Sequence, residues 1–154
     1  MNNEQPIEIL LVDDSAEDAE LTIRTLRRGK VNNPIFPMRD GAEALDFIFG
    51  EGRFAYRTGR LPHLILLDLK MPKVGGIEVI KRLKATPQTA SIPVIVLTSS
   101  AAHQDIVQGY NLGINSYLIK PVNISAFAEV VRQVGLSWTI TTSANLDEDS
   151  GSQD

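Results

Sequence analysis

Five short apolar runs, separated by longer stretches in which apolar residues recur at helical spacing, set the plan of this chain. The runs cover residues 7–12, 35–38, 64–68, 94–98 and 116–120. Three of them are nearly continuous Ile, Leu and Val, the pattern of strands buried on both faces. The stretches between them carry helix signals. Ser15-Ala16-Glu17-Asp18 reads as a capping box, with Gly29 closing the first helix. Asp40-Gly41-Ala42-Glu43 opens a second helix in the same way, and Gly75-Gly76 precedes a third that stops before Pro87. Ser100 caps a fourth, ended by Gly113. Asn123 caps a fifth, in which Ile124, Phe127, Val130, Val131 and Val134 keep a helical period. Strand and helix in alternation predict an α/β domain, a doubly wound parallel sheet with helices on both faces.

The chain has 154 residues, enough for one domain, and at 43% hydrophobic it can bury a full core. We expect that domain over residues 1–140. Residues 147–154 hold four acids and no base, which leaves 15 acids and 15 bases in the rest. The net charge of −4 therefore belongs to an acidic tail, residues 141–154, expected to be disordered. A neutral body lacks the basic footprint of a nucleic-acid binder. Arg24, Arg27, Arg28 and Lys30 read instead as cations at a helix C-terminus. With no cysteine, disulfide and thiol chemistry are excluded. The polar start and the lack of any apolar run near ~20 residues argue against a signal peptide and a membrane span, so a cytoplasmic location is expected. Residues 50–62 read as a long loop containing Gly, Arg, Phe and Tyr.

Carboxyl ends of parallel strands line up along one edge, where ligands bind. The first strand ends in Asp13 and Asp14, the third in Asp68, the fourth in Thr98 and the fifth in Lys120. Asp13 and Asp14 alone suit a helix N-terminus; Asp68 and Lys120 in register give them a second purpose. Three carboxylates at ~5 Å repel by on the order of 3 kcal/mol per pair at an effective dielectric of ~20. Such a cluster wants a divalent cation, and hard oxygen ligands favour Mg²⁺. The inventory suits phosphoryl transfer to a carboxylate. Asp68 is the candidate nucleophile, with Asp14 and Asp68 as metal ligands. Lys120 would neutralise one phosphoryl oxygen while the Thr98 hydroxyl donates to another. His63 and His103 lack the company that metal or catalytic histidines keep.

Together, Asp13-Asp14, Asp68 within Leu-Leu-Asp-Leu-Lys-Met-Pro, Thr98-Ser99 and Lys120-Pro121 resemble the receiver domain of two-component response regulators, over roughly residues 6–136. That resemblance implies a flavodoxin-like (βα)₅ fold with strand order 2-1-3-4-5. It implies a phosphoryl group passed from the phosphohistidine of a histidine kinase to Asp68. It implies Mg²⁺ held by Asp14, Asp68 and the backbone carbonyl of Lys70, with Asp13 acting mainly through water. A cis Lys120–Pro121 bond is implied as well. Tyr117, three residues before Lys120 and so on the other side of its strand, is either a half-buried aromatic or, by resemblance, the switch that turns inward when Thr98 moves toward phosphate. Such a protein is a signalling phosphoacceptor, not an enzyme beyond its own phosphorylation and dephosphorylation.

The stretch Gly41-Ala42-Glu43-Ala44-Leu45-Asp46-Phe47, the long loop after it, Ile92 to Thr98 and the late Trp138 resemble, more narrowly, single-domain receivers that partner bacterial phytochromes. The resemblance implies a stand-alone regulator with a phytochrome-type kinase. It also implies a homodimer, through the fourth stretch, fifth strand and last helix, or through the region of Trp138 and Ile140. Lys70 departs from the Asn that many such receivers carry, which bears on dephosphorylation. Ser15, Asp18 and Thr22, if outward on the first helix, would help choose the kinase. Two rivals stand beside this reading. A phosphatase of the haloacid-dehalogenase type needs Asp-x-Asp where this chain has Asp68-Leu69-Lys70. A receiver-fold binding module would work without phosphorylation.

Overall fold

Ile9–Val12 forms a strand with no exposed residue, and the rest of the sheet is built outward from it. The computed structural model describes residues 7–71, 74–99 and 112–135. In chain order these residues form β1 (Ile9–Val12), α1 (Ala16–Arg28), β2 (Ile35–Met38), α2 (Gly41–Phe49), a 3₁₀ helix (Gly52–Arg57), β3 (Leu64–Asp68), α3 (Gly76–Ala85), β4 (Val94–Thr98), β5 (Ser116–Ile119) and α4 (Ile124–Gln133). The five strands are parallel, in the order β2-β1-β3-β4-β5. The predicted architecture and order are both observed. The order reverses direction at β1 and β3, so the crevice where ligands bind in such sheets opens between them.

Alternate strand residues feed two cores. Ile9, Leu11, Leu64, Leu66, Ile95 and Leu97 pack on one face with Leu26 of α1 and Phe127 and Val131 of α4. Leu10, Val12, Ile65, Leu67, Val94 and Val96 pack on the other with Phe47 of α2 and Ile80 and Leu83 of α3. This is why β1, β3 and β4 read as unbroken apolar runs: both faces are covered. Each fully buried Leu or Ile stabilises the fold by roughly 1.5–3 kcal/mol. Among the described residues, no helix is long and apolar enough to cross a membrane.

The helix ends follow the sequence with two changes. Ser15, Asp40 and Asn123 each accept a backbone N–H of the first helical turn through their side chains. The return arm of the expected capping box at Ser15 is not made. Asp13 takes the Ser15 N–H instead, at 3.0 Å, and leaves the Asp18 carboxylate for other work. Gly29 does follow α1, but the left-handed residue is Lys30, at φ 71°. Gly29 is needed for closeness: a Cβ there would come within 2.2 Å of Ile124 Cγ1 on α4.

The expected loop 50–62 holds more structure than its composition suggests. Its 3₁₀ helix buries Phe54 and Arg57. Arg57 donates to Glu8 Oε1 at 2.7 Å, both side chains almost wholly buried, and its guanidinium lies 3.9 Å over the Phe47 ring. Arg60 also donates to Glu8, and the Glu8 N–H donates to His63 Nδ1 at 3.0 Å. An ion pair thus pins the insert to the amino-terminal edge of the sheet. The fourth helical stretch with Ser100 and His103, the residues Trp138 and Ile140, and the acidic tail lie outside the described residues.

Candidate functional site

Strand register assembles the carboxyl edge. Val12 pairs with Leu67, Asp68 with Leu97, and Thr98 with Ile119. Asp13 and Asp68 therefore stand level, Thr98 sits one residue beyond Asp68, and Lys120 one residue beyond Thr98. The Asp13 N–H donates to Met38 O at 3.0 Å and the Lys120 N–H to Thr98 O at 2.8 Å, so the backbone holds both ends of the row. The Lys120–Pro121 peptide is cis.

The Lys120 ammonium is the hub. It donates to Asp68 Oδ2 at 3.1 Å, Asp13 Oδ2 at 3.2 Å and Asp18 Oδ2 at 3.0 Å. Asp68 Oδ1 accepts the Lys70 N–H at 3.0 Å, and Asp13 Oδ1 accepts the Ser15 N–H. Both oxygens of Asp13 and both of Asp68 are thus occupied. Asp14 is exposed beside them. One carboxylate oxygen from each of Asp13, Asp14 and Asp68 lies within 4.8 Å of the others. An all-oxygen, all-anionic donor set of this size suits a hard divalent cation such as Mg²⁺ or Mn²⁺.

Burial pushes the Asp13 carboxyl above its ordinary range. The Ser15 N–H and the Lys120 charge pull it down, and the Asp68 charge adds to the rise. Burial alone would lower the Lys120 ammonium. Hydrogen bonds to Asp18 and Asp68 and the charges of Asp68 and Asp13 outweigh it, and the net shift is upward. The site therefore keeps Lys120 charged and finds the Asp13 charge costly.

Thr98 is buried at the end of β4. Tyr117 is half-buried on the face of the second core, and its neighbour Leu118 on the first. Lys70 is exposed. Of the three residues expected outward on α1, Thr22 is buried, because it falls on the helix face toward the sheet. Ser15 and Asp18 are partly exposed. His63 immediately precedes β3, at the opposite end of the strands from the site. The residue that sequence reasoning missed is Asp18. Its spacing from Ser15 was visible, but its bond to a lysine 102 positions away was not. A cavity of about 310 Å³ opens beside it, lined by Asp18, Leu21, Thr22, Ser99, Lys120 and Pro121.

The family model for the response regulator receiver domain matches residues 9–132. Response regulator Rcp1 of Synechocystis sp. is 36% identical over 136 residues, covering 88% of this chain and 91% of its own. Two solved structures, the bacteriophytochrome response regulators AtBRR and RtBRR, superpose with TM-scores of 0.84 and 0.83. They are 39% and 43% identical, over 89% and 88% of this chain and 98% and 82% of theirs. The crystal structure of the Mn(2+)-bound form of Rcp1 superposes with a TM-score of 0.68 at 34% identity, over 89% of this chain and 99% of that one.

Proposed function

This chain belongs to the response regulator receiver domain family, and from that premise we propose that it accepts a phosphoryl group from a histidine kinase on Asp68. The observation that carries the proposal is the Lys120 ammonium. It bridges Asp68 and the buried Asp13 at 3.1 and 3.2 Å, beside a cluster of three carboxylates. Nucleophile, metal donors and a fixed cation share one strand-end edge. A binding module with no use for phosphate has no need to assemble them.

In the proposed step an Asp68 carboxylate oxygen attacks phosphorus. The new P–O bond forms as the P–N bond to imidazole breaks, and the nitrogen leaves with the electron pair. Little covalent help is required, so position and charge carry the catalysis. The Lys70 N–H fixes Asp68 through Oδ1. Lys120 would neutralise one phosphoryl oxygen, and the Thr98 hydroxyl would donate to a second. Mg²⁺ would be held by Asp14, Asp68 and the Lys70 carbonyl. Asp13, whose oxygens already bind Lys120 and Ser15, would act through water. When bound, the cation supplies positive charge against the phosphoryl oxygens.

Signalling follows as a population shift. Moving a 1:99 equilibrium to 99:1 needs about 5.5 kcal/mol. Two charge-assisted hydrogen bonds, from Thr98 and Lys120, supply roughly 1.5–3 kcal/mol each. Tyr117 would report the shift on the surface of β5 and α4. The bacteriophytochrome relatives point to a phytochrome-type kinase as donor, and the proposed homodimer would form through the fourth helical stretch, β5 and α4 or through the region of Trp138. The test is native mass spectrometry after incubation with acetyl phosphate. We expect one phosphoryl adduct, dependent on Mg²⁺ and absent in Asp68→Asn. Lack of an adduct at saturating Mg²⁺, or an adduct that survives Asp68→Asn, would refute the assignment.

A further inference from the structure

An ammonium has three hydrogens, and Lys120 has three carboxylates on it. A phosphoryl oxygen arriving at Asp68 finds each hydrogen engaged, so one bond must be given up. The three are not equal. The Asp13 side chain is 0% exposed and cannot turn to water, and Asp68 is the attacking group, 9% exposed. The Asp18 side chain is 47% exposed and borders the 310 Å³ cavity. It alone has both solvent to stabilise it and room to swing.

Asp18 is also wired to the rest of the site. Its N–H donates to Ser15 Oγ at 3.1 Å, and the Ser15 N–H donates to Asp13 Oδ1 at 3.0 Å. The bonds form a ring through Lys120, Asp18, Ser15 and Asp13, which ties the first turn of α1 to the ammonium. Because Asp13 takes the Ser15 N–H, the Asp18 carboxylate is spared the ordinary return bond of a capping box.

We infer that Asp18 is a positioning residue: it keeps one hydrogen of Lys120 on α1, and its release hands that hydrogen to the phosphoryl group. The inference rests on the proposed phosphorylation of Asp68. Removing Asp18 leaves a hydrogen ready for the donor and takes one negative charge from the donor's path. Both changes act in the same direction, toward faster phosphorylation.

The test uses the full chain, acetyl phosphate and saturating Mg²⁺. An Asp68 oxygen attacks phosphorus, the P–O bond to the acetyl group breaks, and acetate leaves with the electron pair. Asp18→Ala is expected to form the adduct at least threefold faster than wild type. Asp18→Glu, which keeps the carboxylate, should stay within twofold. A second readout needs no phosphate. In protein labelled with ¹⁵N at lysine Nζ, the Lys120 ammonium should exchange its hydrogens far more slowly than exposed Lys81. Asp18→Ala should speed that exchange, and Asp18→Glu should leave it slow. A wild-type adduct with equal rates in Asp18→Ala, or a Lys120 exchange rate indifferent to Asp18, would overturn this inference alone. A wild type that takes no adduct would instead bring down the phosphorylation reading.

Discussion

Asp13→Asn measures what the acidic edge costs. The Asp13 side chain is fully buried, and its carboxylate lies within 4.8 Å of Asp14 and Asp68. At that separation and an effective dielectric of about 20, like charges repel by roughly 3.5 kcal/mol. The bond to Lys120 at 3.2 Å returns about 5 kcal/mol on the same scale. Asp14 is exposed and its share is largely screened. Pairing thus leaves about 1.5 kcal/mol in favour of the charge, against a burial penalty of several kcal/mol. Burial wins, which agrees with the raised Asp13 carboxyl. Asparagine removes the charge but loses one of two hydrogen bonds, about 1 kcal/mol. The expected net is a gain of about 1 kcal/mol in EDTA at pH 7, a rise in Tm of roughly 2–4 °C for a domain this size. The sign with pH follows from the raised folded value. The wild type regains stability as falling pH protonates Asp13 and loses it as pH rises through that value. The advantage of asparagine should therefore shrink in acid. Mg²⁺ should reverse the order, since a bound ion at 100 times its Kd stabilises by about 2.7 kcal/mol, and asparagine weakens the site. Thermal unfolding at two pH values, with EDTA and with Mg²⁺, decides. A Tm for Asp13→Asn at or below wild type in EDTA would refute the reasoning.

Other perturbations probe the supports of the site. Lys120→Ala strands the buried Asp13 and should cost about 2–4 kcal/mol in EDTA by urea unfolding. Because the Lys120 ammonium is raised, its contribution is fully present below pH ~10.4 and lost only as pH climbs through the folded value. Glu8→Ala strands the buried Arg57 guanidinium in the insert, with an expected loss of about 3–5 kcal/mol, and Arg57→Ala should cost less because Glu8 keeps Arg60. A Glu8→Leu, Arg57→Met double variant should recover most of it, with phosphorylation at the far sheet edge unchanged. Gly76→Ala would put a Cβ 2.7 Å from the Asp68 carbonyl oxygen. It should cost roughly 1–3 kcal/mol and slow adduct formation, whereas Gly75→Ala, whose Cβ meets nothing within 4 Å, should do neither.

What the pattern of the chain reveals, and what it hides, divides along one physical line. β1, β3 and β4 were legible because burial on both faces is written in consecutive residues. Asp13, Asp68, Thr98 and Lys120 were legible because each ends its own strand, and parallel register brings such ends together. Residues 50–62 read as a loop because Gly50, Gly52 and Gly59 interrupt any period. Their order comes from Glu8, 49 residues before the Arg57 it binds. Gly29 looked like a conformational stop, and its reason is a helix packed against it. Asp18 looked like half of a capping box, and was diverted because Asp13 reached the Ser15 N–H first. A residue whose partner lies in its own turn or strand end shows in the sequence. A residue whose partner is chosen by competition does not, since the outcome depends on which donor the fold brings nearest. The Lys120 ammonium is where that distinction reaches function. Its presence at the edge is a strand-end fact, but the number of its hydrogens already spent is a tertiary one. That number sets how readily it can serve a phosphate.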